Sequence, residues 1–249
     1  MKAMILAAGL GTRLRPLTND RPKALVEVGG RTLLEITLAR LREFQINEVI
    51  VNVHHFADIV VDYLKANNNF GMHIEISREE TLLDTGGGLK KAAWFFLQDS
   101  IDSRESPFIV HNVDVISTID LKRMLQFHKE GHALATLAVQ ERETSRYLLF
   151  DQDRRLCGRR AGRDGEPEMV GELRPASGVC ALGFSGIHAI SPRIFSLMTE
   201  DGAFSIISTY LRLAAQGENI SAFRADEYCW RDLGRPENIE RAQAETRKR

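Results

Sequence analysis

Residues 4 to 13 read "MILAAGLGTR": an apolar run that breaks into a loop carrying two glycines, a threonine and an arginine. A strand ending in small residues and glycines lets backbone N–H groups approach an anion closely. Such a loop holds a dinucleotide, a bare phosphate or nothing, and each case makes its own demand on the sequence. A dinucleotide fingerprint requires G-x-G-x-x-G. Here Leu14 stands where the third glycine belongs, and no acidic residue closes a strand ~20 residues on. A Walker loop requires GK[ST], which is absent. Thr12 contributes a hydroxyl and Arg13 a planar fork of donors suited to phosphate. Downstream, "RPKALVEVGG" supplies Lys23, a compact cation able to reach the same phosphates. A GxG after a strand is by itself an ordinary βα turn. Its combination with Arg13, Pro16 and the Pro22–Lys23 pair points to phosphate.

The rest of the first half alternates apolar runs with helical patterns. Lys2 to Ala7, "EVIVNV" (48–53), "HIEIS" (73–77) and "PFIVHN" (107–112) read as strands. Helical spacing covers Leu33 to Phe44, Phe56 to about Lys65, and a stretch after Gly88. This β-α-β-α rhythm predicts an α/β fold, a Rossmann-like, mostly parallel sheet flanked by helices. Ligands in such sheets sit at the carboxyl ends of the strands, so the loops after Ala7, Ser77 and Asn112 are the places to search. Beyond Gly131 the rhythm changes. "ALATLAVQ", "RYLLFD", "LCGRR" and the apolar run Ala181 to Ile190 suggest strands, with Asp151 to Arg154 a hairpin turn and Arg160 to Glu168 a polar loop. Helices are predicted over Pro192 to Met198, over Ile206 to Gln216, and from Pro236. No linker or repeat appears. The expected organisation is one domain over residues 1–249, with a nucleotide-binding core at about 1–131 plus the C-terminal helices. A smaller β-rich insertion occupies about 132–190.

Composition narrows the partners. The formal net charge of −1 gives no reason to expect nucleic acid, and the Arg-rich stretch from Arg154 to Arg163 lies among Gly, Asp and Glu, as a solvated loop does. No run approaches the ~20 apolar residues that span a bilayer, and the N-terminus does not resemble a signal peptide. Cys157, Cys180 and Cys229 are far apart and lack CxxC spacing, which fits reduced thiols in a cytoplasm.

"LAAGLGTRLRPLT" followed by "PKALVEVGGRTLLE" resembles the signature of the sugar-phosphate nucleotidyltransferases, and the resemblance extends over nearly the whole chain. These enzymes join an NTP to a sugar 1-phosphate and release pyrophosphate. The resemblance implies a Rossmann-like domain with a smaller β-rich sugar-binding part. It also implies that Gly9, Gly11 and Thr12 wrap the triphosphate, that Arg13 and Lys23 contact phosphates, and that the backbone near Ala7 touches the base. "EETLLDTGGGLKKA" (79–92) is similar to the family's base-recognition segment, placing Thr85, Gly86 and Gly87 at the contacts with Glu79 as a weaker candidate; a flexible turn is the plain alternative. Within the family, "TGGG" looks most like the N-acetylmuramate 1-phosphate uridylyltransferases, although mannose and heptose 1-phosphate guanylyltransferases carry related segments.

An aspartate closing a buried strand is a natural ligand for a hard cation or a simple turn cap, and "HNVDV" (111–115) offers Asp114 there. The resemblance to the family's "NGDV" makes Asp114 a Mg²⁺ ligand and puts Asn112 beside the sugar. "WRDLGRPENI" (230–239) resembles W-x-D-x-G and supplies the second metal aspartate, Asp232. "GFSGIH" (183–188) resembles the sugar-contacting strand, which makes Ser185 and Gly186 candidates. The family's Glu–Lys–Pro sugar motif is absent, with Glu172 a weak substitute. Val113 replaces the family's usual glycine, and a stiff branched side chain there is expected to reshape the crevice. His54, His55 and His111 read as structural or solvent-exposed. The expected partners are an NTP and a sugar 1-phosphate, with no nucleic acid or membrane. The rival class is a non-catalytic nucleotide-sugar sensor, against which Arg13, Lys23, Asp114 and Asp232 together speak. Base, sugar and oligomeric state are not fixed by these residues.

Overall fold

The computed structural model describes residues 1–98, 106–170 and 178–246. Its strands, in chain order, are β1 (Lys2–Leu6), β2 (Glu27–Val28), β3 (Arg31–Thr32), β4 (Glu48–Val53), β5 (His73–Arg78), β6 (Phe108–Asn112) and β7 (Val115–Ser117). There follow β8 (Ala135–Gln140), β9 (Arg146–Phe150), β10 (Leu156–Ala161), β11 (Pro167–Met169), β12 (Cys180–Ile190), β13 (Ile220–Arg224) and β14 (Trp230–Asp232). The helices are α1 (Leu33–Glu43), α2 (Ala57–Ala66), α3 (Asp84–Lys91), α4 (Ala93–Leu97), α5 (Leu121–Glu130), α6 (Ile194–Leu197), α7 (Ile206–Ala215) and α8 (Pro236–Thr246).

The main sheet runs β11-β10-β9-β12-β6-β1-β4-β5, with β8 attached to β12 and β13 attached to β8. Strands β6, β1, β4 and β5 are parallel, joined by register pairs such as Met4 with Ile50 and Met4 with Val110. From β1 the chain steps to β4 and β5 on one side, then returns to β6 on the other. The direction of winding therefore reverses between β1 and β6, the position at which open α/β sheets bind ligands.

These strands read as unbroken apolar runs because both faces are covered. Side chains alternate between faces. Ala3 and Ile5, Val49 and Val51, and Ile109 enter one core, whereas Met4, Ile50, Phe108 and Val110 enter another on the opposite face. Helix α1 starts where the Thr32 hydroxyl accepts from Glu35 N at 3.1 Å, and it buries Leu34, Leu38 and Leu41 at helical spacing. A side-chain oxygen at the N-cap satisfies an otherwise orphaned amide and stabilises a helix by about 1 kcal/mol.

The predicted core strands appear within a residue or two, and the turn at Asp151–Arg154 closes through Arg154 N to Asp151 O at 3.0 Å. Three readings change. Helix α3 contains Gly86 to Gly88 instead of starting after them. The polar loop of 160–168 ends in a short strand, because Pro167–Met169 pairs with Gly158–Arg160. Finally, β13 joins β8 in parallel, so part of the C-terminal region completes the β-rich side of the sheet.

Candidate active site

The opening loop leaves β1 at Ala7 and passes through Gly11, whose φ of +65° is left-handed, the conformation glycine adopts without strain. A side chain at Gly11 would also collide: its Cβ would lie 2.9 Å from Thr18 Cγ2 and 3.2 Å from Lys23 Cβ. The Thr18 hydroxyl donates to the Gly11 carbonyl at 2.8 Å, so the glycine loop is folded onto the segment that carries Lys23. Thr12 and Arg13 lie exposed on a single 3-10 turn. Gly9 faces open space, with nothing within 4 Å of the position a Cβ would take.

Asp114 follows β6 and is buried, 7% exposed. Asp232 arrives from far along the chain on β14, which pairs antiparallel with β7 and places Asp232 opposite Val115. Leu233 N donates to the Asp114 carbonyl at 2.7 Å, locking the two segments together. Gly234 marks the point of convergence. A Cβ on it would stand 2.8 Å from Asp232 Oδ1, 3.0 Å from Asp114 Oδ2 and 3.0 Å from Arg13 Nη2. The two carboxylate oxygens are therefore no farther apart than the sum of their distances to that point. Lys23 completes the group by pairing its ammonium with Asp114 Oδ2. Residues 13, 23, 114 and 232, named from three motifs, thus stand together beside Gly234. Two carboxylates are hard oxygen donors that can hold a divalent cation whose remaining positions go to phosphate and water. Among the described residues no group of three or more His, Cys, Asp or Glu forms an all-protein metal cage.

The residues expected to read the base have partners within the fold. The amides of Gly86 and Gly87 donate to the Phe204 carbonyl at 2.9 and 3.3 Å, and the Thr85 hydroxyl accepts from Ile206 N at 3.0 Å. These contacts fasten α3 to the start of α7. The triple glycine has a packing reason, since a Cβ on Gly86 would sit 2.4 Å from the Phe204 ring. The amide of Ala7 is also engaged, donating to Asn52 Oδ1 at 2.7 Å. Asn52 Nδ2 in turn donates to Glu79 Oε1 at 2.7 Å, and Leu83 N donates to Glu79 Oε2 at 2.9 Å. Sequence reasoning ranked Glu79 low and missed Asn52. A buried carboxylate linked through Asn52 to the end of β1 is the polar feature this region has.

At the end of β6, Asn112 and Gly186 meet. Gly186 has φ +73°, and a Cβ there would approach Asn112 Nδ2 to 2.8 Å. It lies where the β12–β8 register shifts, an irregularity of the kind that re-aims side chains beside active sites. Ser185 departs from expectation: it is 0% exposed, and its hydroxyl has no partner among the described residues. Its carbonyl instead accepts from Trp230 Nε1 at 2.7 Å. Glu172 lies outside the described residues. Val113 is 1% exposed within the core, and its φ is not positive. Its branched side chain packs within the core that also holds Ile5 and Ile109.

His54 and His111 serve the backbone, their Nδ1 atoms lying 2.8 Å from the carbonyls of Glu79 and Asn112. Burial pushes His111 down to about 4, more than Asp114 raises it, which keeps it neutral near pH 7. Two residues that sequence reasoning left without a role stand close by: Trp230, two positions before Asp232, and Arg142, whose guanidinium lies 4.0 Å from the Trp230 ring centroid.

Comparison with known proteins agrees with this geometry. Residues 2–156 match the family described as Nucleotidyl transferase. An N-acetylmuramate alpha-1-phosphate uridylyltransferase of Caulobacter vibrioides is 35% identical over 246 residues, covering 94% of this chain and 92% of that one. A mannose-1-phosphate guanyltransferase of Candida albicans is 29% identical over 243 residues, covering 96% of this chain but 62% of its own length. The fold is shared with a putative glucose-1-phosphate thymidylyltransferase from Bacillus anthracis, with a TM-score of 0.77 at 20% identity, covering 100% of this chain and 96% of that one. The chain belongs to the nucleotidyl transferase family and is a nucleotidyltransferase enzyme.

Proposed function

We propose that the protein transfers a uridylyl group from UTP to N-acetylmuramate 1-phosphate, releasing pyrophosphate and leaving a UDP-sugar. The observation that carries nucleotidyl transfer is the convergence of Arg13, Lys23, Asp114 and Asp232 around Gly234. Support for the substrate pair comes from the similarity to the uridylyltransferase, which extends over nearly the full length of both chains.

The chemistry needs no protein nucleophile. A sugar 1-phosphate is mostly dianionic at neutral pH, its second pKa being about 6. One of its oxygens attacks the α-phosphorus, a new P–O bond forms, the bond to the β-phosphate breaks, and pyrophosphate departs with its electron pair. Repulsion between anions and misalignment are the obstacles. Arg13, on the glycine loop, neutralises triphosphate oxygens and fixes their orientation. Lys23 is placed to move from Asp114 onto the phosphates that react. Asp114 and Asp232 would hold Mg²⁺, which suits two carboxylates together with substrate oxygens and supplies charge neutralisation when bound. In this reading residues 1–131 and the C-terminal helices hold the nucleotide, residues 132–190 hold the sugar, and Asn112 with Gly186 lies at the junction.

One observation favours a second reading. Glu79 is an acceptor-only carboxylate beyond Asn52, and guanine offers adjacent N1–H and N2–H₂ donors where uracil offers one N3–H. A guanylyltransferase acting on mannose or heptose 1-phosphate follows if that carboxylate reads the base.

A pyrophosphate-release assay over UTP, GTP, CTP and dTTP against these sugar 1-phosphates decides. The uridylyltransferase reading expects UTP to exceed GTP by ~10-fold to 100-fold, since each buried polar group left unpaired costs roughly 1–3 kcal/mol. Preference for GTP with mannose or heptose 1-phosphate replaces it with the second reading.

A further inference from the structure

Arg142 lies just beyond β8, in the loop that leads to β9. Its guanidinium lies over Trp230 at 4.0 Å, and Nη2 donates to the Phe184 carbonyl at 2.7 Å. Nη1 makes a long contact of 3.5 Å to the Glu143 carbonyl, and Nε is buried without a partner among the described residues. Room for the group is left by Gly183, where a Cβ would fall 2.9 Å from Arg142 Cζ and 3.0 Å from Nε. The platform beneath is fixed, because Trp230 donates to Ser185 O and lies in the β14–β7 ladder opposite Ser117.

Trp230 and Asp232 are two residues apart on one strand and so project to the same side. The guanidinium is thereby held beside the carboxylate pair and against Phe184 and Ser185, the stretch of β12 that turns at Gly186 beside Asn112. Burial lowers the pKa of Arg142, and Asp232 is the leading opposing influence. None of its hydrogen bonds, each to a backbone carbonyl, reaches a carboxylate. A half-buried guanidinium in this state has donors and charge to spend on an anion.

We infer that Arg142 is a substrate-binding residue of the acceptor site, receiving an oxyanion of the sugar phosphate substrate on a guanidinium held against Trp230. The inference rests on the reading of the acceptor as a sugar 1-phosphate. Two sources supply the oxyanion: the 1-phosphate itself, or an acid carried elsewhere on the sugar, such as the lactyl carboxylate of N-acetylmuramate 1-phosphate.

The test uses Arg142→Gln and Arg142→Lys, with KM and kcat measured separately for acceptor and NTP. The acceptors are N-acetylmuramate 1-phosphate and N-acetylglucosamine 1-phosphate, which lacks the lactyl acid. In Arg142→Gln the acceptor KM rises about 10-fold to 100-fold, the scale of a lost charge-assisted hydrogen bond, and the NTP KM stays as it is. Arg142→Lys recovers little, because an ammonium has neither the planar stack nor the fork. A rise shared by both acceptors assigns the 1-phosphate, and a rise confined to the muramate assigns the carboxylate. An unchanged acceptor KM in the folded variants overturns the inference, as does an equal rise in the NTP KM. Failure of the wild type to use N-acetylmuramate 1-phosphate is a different result. It removes that substrate, and the same variants are then measured on whichever sugar 1-phosphate the wild type accepts.

Discussion

Lys23 is seated on Asp114, its ammonium against Oδ2, with the two side chains 15% and 10% exposed. The carboxylate proposed to hold the cation is thus already shared. A divalent ion that takes Asp114 competes with the ammonium, and Lys23 becomes available to phosphate as the metal is bound. Lys23→Met is therefore expected to bind Mn²⁺, a spectroscopic substitute for Mg²⁺, more tightly than the wild type while turning over more slowly. Unchanged Mn²⁺ affinity by electron paramagnetic resonance titration would mean the pair does not regulate the site.

Asp114→Asn and Asp232→Asn each replace a charged donor with a neutral amide of the same shape. Turnover is expected to fall ~10²-fold or more, the penalty for misplacing reacting groups, with the thermal midpoint little changed. Near wild-type rates in both variants with Mg²⁺ present sink the metal assignment.

Arg13→Ala should weaken binding of a non-hydrolysable NTP analogue and lower kcat together, because Arg13 sits on the glycine loop and reaches the carboxylates as well. Calorimetry and steady-state rates measure the two effects independently. Wild-type values for both would leave the loop as a turn and nothing more.

Two glycines should respond in opposite ways. Gly86→Ala drives a methyl into the Phe204 ring at 2.4 Å and approaches its carbonyl at 2.9 Å. Overpacking of this kind costs about 1–3 kcal/mol, against which alanine's better helix propensity returns at most ~1. The thermal midpoint should fall by roughly 2–4 °C for each net kcal/mol. Gly9→Ala meets nothing within 4 Å, so the midpoint should hold while kcat/KM drops. A Gly9→Ala enzyme of full activity excludes close phosphate approach at that residue.

Stability should depend on three buried imidazoles. Burial lowers His111 and His128 to about 4 and His188 to about 3, against an unfolded value near 6.5. Between these values the unfolded chain binds more protons than the folded one. The contribution is whole above about pH 6.5 and is lost as pH falls toward the folded values, at up to ~1.4 kcal/mol per pH unit for each group. Urea midpoints at pH 7.5, 6 and 5 should descend in that order. Equal midpoints at all three would contradict the burial argument.

The parallel half of the fold was legible because its strands are covered on both faces and bounded by glycines or by capped helices. Leu33 to Phe44, for example, carries its apolar residues at helical spacing. Short partners were not legible. β14 and β7 have three residues each, and only their pairing makes them strands. Arg13, Lys23, Asp114 and Asp232 could be singled out because they came in three motifs, the two cations in the N-terminal one and each aspartate in its own. The triple glycine is open to two readings: low side-chain volume answers a ligand and a neighbouring phenyl ring equally, and Phe204 is distant in sequence. Arg142 escaped notice because an arginine in a polar loop looks solvated until Trp230 is found beneath it. Val113 drew concern from its β-branch, but the side of the chain it faces is a tertiary fact.

Strand β12 leaves the protein without a seam. Its first residues pair with β9, from Cys180 with Phe150 onward, and its last pair with β6, where Ile187 faces His111, one residue before Asn112. An exchange of acceptor preference by transplanting residues 132–190 from a relative must rebuild the β12–β6 ladder beside Asn112. Altered substrates are better sought by replacing residues of the tip between β8 and β9, which carries Arg142 and touches β12 through its bond to the Phe184 carbonyl. Residues 141–145 lie outside every strand, so a change of side chains there leaves the ladder of the main sheet intact.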